Sequence, residues 1–481
     1  MTVMRNILIV LLLLAVAGTM RFAKLGTWSF DHDELFTTLE TKVLFGEATV
    51  PESYLRGGTL KPEETQVVRL PRMLPLAYTT HWLNYQLFGE DEFGARVLPA
   101  VFGTLSVGII FLLAAPLFGI SGALTLTFLV MLWPMHLFQS QQNRFYIETF
   151  FFEVIVFLLA ATVVKRRCVL YAVFLGFAAF GMILCHALTG LVWGIVLAGI
   201  AAAGVAERRF PSGGVLAVLV GFSLLFVGFA VFYLLPLAQG WNEVAQWGYS
   251  PLHAALATVN MLGFPVAMLV GLGGLLALTN LRNPDNAFWT TVAVCCLVCV
   301  PILPRLITFN PMYLFLFTFP FFVLAAQFAD RVFQRLREPG TAGTCVLAVA
   351  WLGAVCCSNL PSLASYYLDG SRCHHRAAFE YVREHWQSGD RLVGYTMGNA
   401  EYYIPECEPR IPLNIVGTVE QLEEIVQSDG GRLWIVVRSP RGGLSLELRR
   451  WLGKNCTYEL RVGKKRFDYA EYTVEVFLYK K

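Results

Sequence analysis

Long runs of nearly uncharged residues alternate with short polar joints through about the first 360 positions of this 481-residue chain. An α-helix rises about 1.5 Å per residue, so about 20 apolar residues cross a hydrocarbon core of about 30 Å, and a helix bonds its own backbone while doing so. The pattern predicts about eleven such spans, near 6–22, 96–118, 121–139, 147–164, 168–185, 187–204, 212–236, 253–279, 287–303, 310–328 and 342–360. Leu74–Phe88 is apolar but broken by His81, Asn84 and Gln86, and it reads as a helix lying in the membrane interface. Beyond residue 360 charge density rises and turn residues appear. Helical periodicity covers Arg376–Gln387, Val419–Gln427 and Leu444–Trp451, and β-rich runs cover Arg391–Tyr395, Leu433–Val437 and Thr473–Tyr479.

These elements predict a mostly α fold. A polytopic transmembrane helical bundle occupies 1–360 and carries a large extracytoplasmic loop, 23–95; a small extracytoplasmic α/β domain occupies 361–481. Composition agrees: 56% of residues are hydrophobic and 15% charged, with mean hydropathy +0.56, which excludes a soluble multi-domain chain. The net charge of +3 is small and gives no reason to expect a nucleic-acid partner. Its distribution says more. Lys165-Arg166-Arg167, Glu207-Arg208-Arg209, Arg282 and the run Arg331–Arg337 fall on alternate loops. The positive-inside rule places these loops and Arg5 in the cytoplasm, hence a multi-pass protein of the cytoplasmic (inner) membrane with its C-terminal domain outside. Ala15-Val16-Ala17 is a mediocre signal-cleavage site, so an uncleaved first helix is expected.

The eleven cysteines lie mostly in apolar runs, such as Cys295, Cys296, Cys299, Cys356 and Cys357, where they act as small hydrophobes. Their spacing matches no zinc site, and no structural metal is expected. Cys373, Cys407 and Cys456 fall in the outer domain; one disulfide and one leftover thiol would fit, with the pairing open.

Against this apolar background the polar clusters stand out. Phe30-Asp31-His32-Asp33-Glu34-Leu35-Phe36 sets three carboxylates within four residues, directly after the first span. A partly desolvated carboxylate there could take a proton from a hydroxyl. The plainer reading is a solvated loop in which Asp31 or Asp33 caps a helix starting near Glu34. The joint Ser140–Glu148 carries Arg144, Tyr146 and Glu148, with Arg144 and Glu148 one helical turn apart. An outer arginine runs against the charge bias; a local salt bridge with tyrosine anchoring is the alternative. His186 ends the fifth span and Arg305 the ninth, and Arg72 follows Pro71 at the entry to the interfacial helix. Both arginines could hold a phosphate through charge-assisted hydrogen bonds, or contact lipid headgroups. Glu153 lies within the fourth span, where an acid marks a polar cavity or an interhelical hydrogen bond. Acids and cations thus gather at the outer ends of separate helices, as an anion cradle beside a base would require.

The residues resemble those of the polyprenyl-phosphate-dependent glycosyltransferases of the GT-C superfamily, in the bacterial branch related to protein O-mannosyltransferases and lipid A aminoarabinose transferases. Four features carry the resemblance: the pair Asp33-Glu34 after the first helix, the segment Leu87-Phe88-Gly89-Glu90-Asp91-Glu92-Phe93-Gly94-Ala95-Arg96-Val97-Leu98-Pro99, the Ser-x-x-x-Arg-x-Tyr joint from Ser140 to Tyr146, and the outer His186. Similarity is good over 1–200, weak over 200–360, and returns at Arg376–Arg391. The resemblance implies transfer of a sugar from a polyprenyl-phosphate donor to a lipid, glycan or protein acceptor on the outer face. It implies Asp33 as base with Glu34 beside it, and Arg72, Arg144, Tyr146 and His186 as donor- or phosphate-binding residues; Arg305 joins them by its location alone. Glu148 takes the place of a commoner second-loop Asp. Asp31 and Asp33 could also hold a divalent cation. The alternative function is a transporter or flippase of a lipid-linked saccharide, which would favour broken helices and repeated halves; a scaffold would leave the polar clusters unexplained.

Overall fold

The computed structural model describes residues 2–48, 75–234, 251–306, 311–338, 340–369, 374–394, 397–412, 419–428, 431–439, 446–465 and 471–480. In chain order the helices begin with α1 (Thr2–Phe22), α2 (His32–Leu44), α3 (Pro75–Phe88), α4 (Val97–Met131), α5 (Pro134–Ser140), α6 (Tyr146–Arg166), α7 (Val169–Cys185) and α8 (Thr189–Glu207). They continue with α9 (Gly213–Phe229), α10 (Pro251–Leu262), α11 (Phe264–Leu278), α12 (Pro284–Leu306), α13 (Phe319–Arg337), α14 (Ala342–Cys356) and α15 (Leu360–Asp369). Two compact units result. One comprises Met1–Ala23, Arg72–Tyr78 and Leu98–Leu363; the other comprises Lys24–Pro71, Thr79–Val97 and Ala364–Lys481. Loop segments that follow α1 and α3 therefore group with the C-terminal segment.

The first unit is helical and apolar. Six described helices are long and apolar enough to cross a membrane, or eight if each of two bent pairs counts once, so the chain is a multi-pass membrane protein. The expected count of about eleven is not confirmed among the described residues, for local reasons. The second and third expected spans are continuous in α4, whose 35 residues break only at Gly119. There φ is +74°, in the left-handed region that favours glycine, three residues after Pro116. The fifth expected span, α7, has 17 residues and falls just short by length. The expected span 253–279 is a sharply bent pair, Ala254–Leu262 and Phe264–Leu278, at 101°. Gly263 makes that bend at φ +82°, and Pro265 starts the next helix at a position where its missing N–H costs nothing.

The α/β part of the second unit matches the expected elements closely. Its helices are α16 (His375–Glu384), α17 (Met397–Tyr403), α18 (Val419–Ser428) and α19 (Leu446–Asn455). Its strands are β1 (Arg391–Gly394), β2 (Arg410–Pro412), β3 (Leu433–Ser439), β4 (Thr457–Lys465) and β5 (Glu471–Tyr479). The sheet order is β2-β1-β3-β5-β4, parallel across β2, β1 and β3 and antiparallel beyond. Helix α17 and strands β2 and β4 were not expected; β4 carries charges along an edge and has no clean apolar alternation.

Strand periodicity divides the core between the two sheet faces. Trp434 and Val436 pack with Ala378, Phe379 and Val382 of α16; Leu433, Ile435 and Val437 pack with Leu422, Leu448 and Leu452. Cys407 sits on the first face and Cys456 on the second, both as free thiols, while Cys373 lies outside the described residues.

Candidate active site

Asp31 is the N-cap of α2, with φ −78° and ψ 159°. Its carboxylate accepts from the His32 N–H at 2.7 Å, and the Glu34 carboxylate accepts from the Asp31 N–H at 3.0 Å, completing a capping box. The capping reading of this stretch is therefore right for Asp31, and the helix starts two residues earlier than expected. The three acids are then sorted by burial. Glu34 is wholly buried, Asp31 partly so, and Asp33 is exposed in the first helical turn. At that end of a helix the backbone dipole favours a carboxylate.

Glu34 is fixed by Arg96, which is also wholly buried. Arg96 Nε donates to Glu34 Oε1 at 2.8 Å and Nη2 to Oε2 at 2.9 Å. Its remaining N–H groups donate to the carbonyls of Leu25 (3.1 Å), Trp28 (2.7 Å) and Ser29 (3.1 Å). The five donors of a guanidinium thus meet five acceptors, which is what makes a buried ion pair tolerable. The Phe30 ring covers the guanidinium at 5.0 Å.

The C-terminal segment grips the same turn. Arg438 of β3 approaches both Asp31 oxygens, Nη1 to Oδ1 at 3.0 Å and Nη2 to Oδ2 at 3.3 Å. His375, wholly buried at the start of α16, places Nε2 3.9 Å from Oδ1. From α17, Asn399 donates to the Phe30 carbonyl at 3.1 Å, and the Tyr403 hydroxyl accepts from the Phe30 N–H at 2.7 Å. That hydroxyl donates to Glu92 at 2.9 Å, and Arg376 pairs with the same Glu92 oxygen.

Burial alone would raise the Asp31 carboxyl, but the Arg438 guanidinium and the His32 N–H help to hold it well below the usual carboxylate range. Burial pushes the His375 ring down to about 3; Asp31 opposes this and Arg438 reinforces it, so His375 is neutral at physiological pH.

In the first unit, the joint before α6 brings three expected residues together. Arg144, Tyr146 and His186 are all at least nine-tenths buried, with 9%, 4% and 6% exposure. The Arg144 guanidinium lies 5.1 Å from the Phe145 ring and 5.8 Å from that of Tyr146. The His186 ring is 4.9 Å from Phe145, 6.1 Å from Tyr146 and 5.7 Å from Tyr313. Its Nδ1 accepts from the Leu188 N–H at 3.1 Å, which leaves Nε2 as the protonated nitrogen. Glu148 is wholly buried in the first turn of α6, and Glu153, also wholly buried, lies five residues further on. Arg305 stands in the last turn of α12, where only its backbone position is described, and Arg72 lies outside the described residues.

Several residues at these sites were not foreseen. Arg96 stood in the quoted Glu-Asp-Glu…Arg segment without a role, although an arginine 62 positions from Glu34 gives no local sign of pairing. Arg438, His375 and Tyr403 lie more than 340 positions from the acidic turn, beyond any spacing argument. Arg21, wholly buried, donates from Nη2 to His136 Nδ1 at 2.8 Å, and His136 Nε2 meets the Ser106 hydroxyl at 2.9 Å; only the fold joins them. A divalent cation at Asp31 and Asp33 fits poorly. Arg438 already compensates Asp31, and among the described residues no three His, Cys, Asp or Glu side chains gather as ligands.

The sequence matches no protein-family model, and it matches no curated protein. The fold does have counterparts. ArnT from Cupriavidus metallidurans in the apo state is 14% identical with a TM-score of 0.56, covering 98% of this chain and 97% of that one. The same ArnT bound to undecaprenyl phosphate is 13% identical, also at a TM-score of 0.56 and the same coverage. An oligosaccharyltransferase from Archaeoglobus fulgidus, tethered with an acceptor peptide, is 14% identical at a TM-score of 0.56, covering 89% of this chain and 68% of that one. Both are GT-C superfamily members. At such identities the likeness is one of fold, and the fold of this chain is the GT-C fold.

Proposed function

We propose that this chain, built on the GT-C fold, is an integral membrane glycosyltransferase that moves a sugar from a polyprenyl-phosphate donor to a hydroxyl acceptor. The observation that carries the reading is the meeting of Arg144, Tyr146 and His186 at one end of α6 and α7, in a fold whose ArnT counterpart binds undecaprenyl phosphate. An arginine edge and a histidine N–H are suited to a lipid phosphate, whose charge grows as the bond to the sugar breaks. Arg72 and Arg305 are assigned to the same phosphate from sequence.

Asp33 is the base. Its carboxylate takes the proton of the acceptor hydroxyl while that oxygen bonds to the sugar C1; the C1–O bond to phosphate breaks, and the polyprenyl phosphate leaves with the electron pair. Glu34, held at both oxygens by Arg96, keeps the first turn of α2 in place. Glu148, buried beside the joint, supports the donor side. The charge rule supports chemistry on the outer side of the membrane. Lys165, Arg166 and Arg167 end α6, and Arg208 follows α8, at the helix ends opposite Tyr146 and Thr189.

The 101° pair α10–α11 favours a second reading, a transporter of a lipid-linked saccharide, because broken helices line transport sites. Purified protein in lipid, supplied with a panel of polyprenyl-phosphate sugars and hydroxyl acceptors, separates the two. The transferase releases free polyprenyl phosphate and a glycosylated acceptor. Movement of intact donor across the bilayer without cleavage would support the transporter.

A further inference from the structure

We infer that Arg438 is a positioning residue for Asp33, acting through the Asp31 cap. The inference rests on the reading of Asp33 as the base. An ordinary N-cap needs only a side-chain oxygen and contributes about 1 kcal/mol. Here the capping carboxylate is held by a second, remote layer. Arg438 meets both Asp31 oxygens, at 3.0 and 3.3 Å, while Oδ1 also accepts from the His32 N–H at 2.7 Å. The arginine is carried on the middle of the sheet, on a strand paired along its length with β5, up to Arg438 opposite Val474 and Ser439 opposite Thr473. Its anchor is therefore stiff.

Behind it, His375 is wholly buried with neither ring nitrogen in a hydrogen bond among the described residues, and its Nε2 faces Asp31 Oδ1 at 3.9 Å. Asn399 and Tyr403 hold the carbonyl and N–H of Phe30, one residue earlier. Residues 30 and 31 are thus fixed from three C-terminal elements, α16, α17 and β3, and Asp33, two residues on, is left exposed. The cap dihedrals set the direction in which α2 starts and with it the direction of the Asp33 side chain. Displacement of a reacting group by about 1 Å can cost about a hundredfold in rate. The role goes beyond holding the fold, because Arg96 already fastens the turn through Glu34.

The test compares kcat and donor KM for Arg438→Ala, Arg438→Lys, Asp31→Asn and the double Asp31→Asn/Arg438→Ala, with Asp33→Asn as reference. We expect Arg438→Ala to lower kcat about tenfold to a hundredfold at nearly constant donor KM. Lysine should restore part of the rate, and the double variant should be no slower than Arg438→Ala, because both changes break one link. Unchanged kcat in Arg438→Ala beside an inactive Asp33→Asn would overturn the inference and leave the base assignment standing. Full activity in Asp33→Asn would instead remove the base assignment. If Arg438→Ala fails to accumulate, Arg438→Lys and Asp31→Asn carry the comparison; a lowered melting temperature with wild-type kcat in both would again overturn it.

Discussion

In the second unit Arg96 is wholly buried and has an acceptor for each of its five N–H groups; in the first unit Arg144 is nearly as buried, and its guanidinium lies 5.1 Å from the Phe145 ring and 5.8 Å from that of Tyr146. A guanidinium with every donor engaged is a fastener, and adding a ligand would cost it a bond it already has. Ring faces stabilise the charge from above its plane, a mode compatible with an anion at its edge. Among the acids, Glu34 is buried and bound at both oxygens, and Asp33 is exposed.

Removing the fastener and removing the proposed base should give large effects of different kinds. Arg96→Ala leaves Glu34 as a buried charge without its ion-pair partner, and loss of about 3–5 kcal/mol is expected, read as a lower melting temperature and poor accumulation. Asp33→Asn should cost about 1 kcal/mol of stability or less and slow transfer about 10²- to 10⁴-fold, the range of general-base contributions. Arg144→Ala comes next. It should weaken binding of polyprenyl phosphate about tenfold or more, by titration calorimetry, since a hydrogen bond to a charged group contributes about 1.5–3 kcal/mol.

A smaller effect lies in pH. His375 has a folded pKa of about 3 against an unfolded value of about 6.5, so the unfolded chain binds more protons between those limits and stability falls as pH drops through that window. The lowered Asp31 value acts in the same direction at the acid end. His375→Phe should flatten the acid loss of melting temperature, whereas Arg144→Ala in the first unit should leave that slope unchanged. The smallest expected effect is Gly119→Ala in α4. No atom lies within 4 Å of the added carbon, so only the φ of +74° resists it, at about 1 kcal/mol.

Much of this was legible in the chain. Apolar runs located the helices and the break near residue 119, and strand periodicity located the C-terminal sheet, because both patterns are local consequences of burial. Arg144, Tyr146 and His186 could be singled out because charged and aromatic residues at helix ends have no purpose in an apolar span, and the fold brings these three near one another. The bend at Gly263 was not: a Gly-Phe-Pro sequence permits a turn of 101° but equally permits a kink inside one span. Nor were Arg96, Arg438 and His375 assigned roles, since their meaning lies in pairings across 62 and more than 340 residues that only folding creates.

Chemistry at Asp33 is tested by a single-turnover assay with donor prebound in lipid nanodiscs. Wild type should convert bound polyprenyl-phosphate sugar to free polyprenyl phosphate and glycosylated acceptor. Asp33→Asn should bind the same donor with wild-type affinity and convert none on that timescale. Conversion by Asp33→Asn at the wild-type rate would contradict the account.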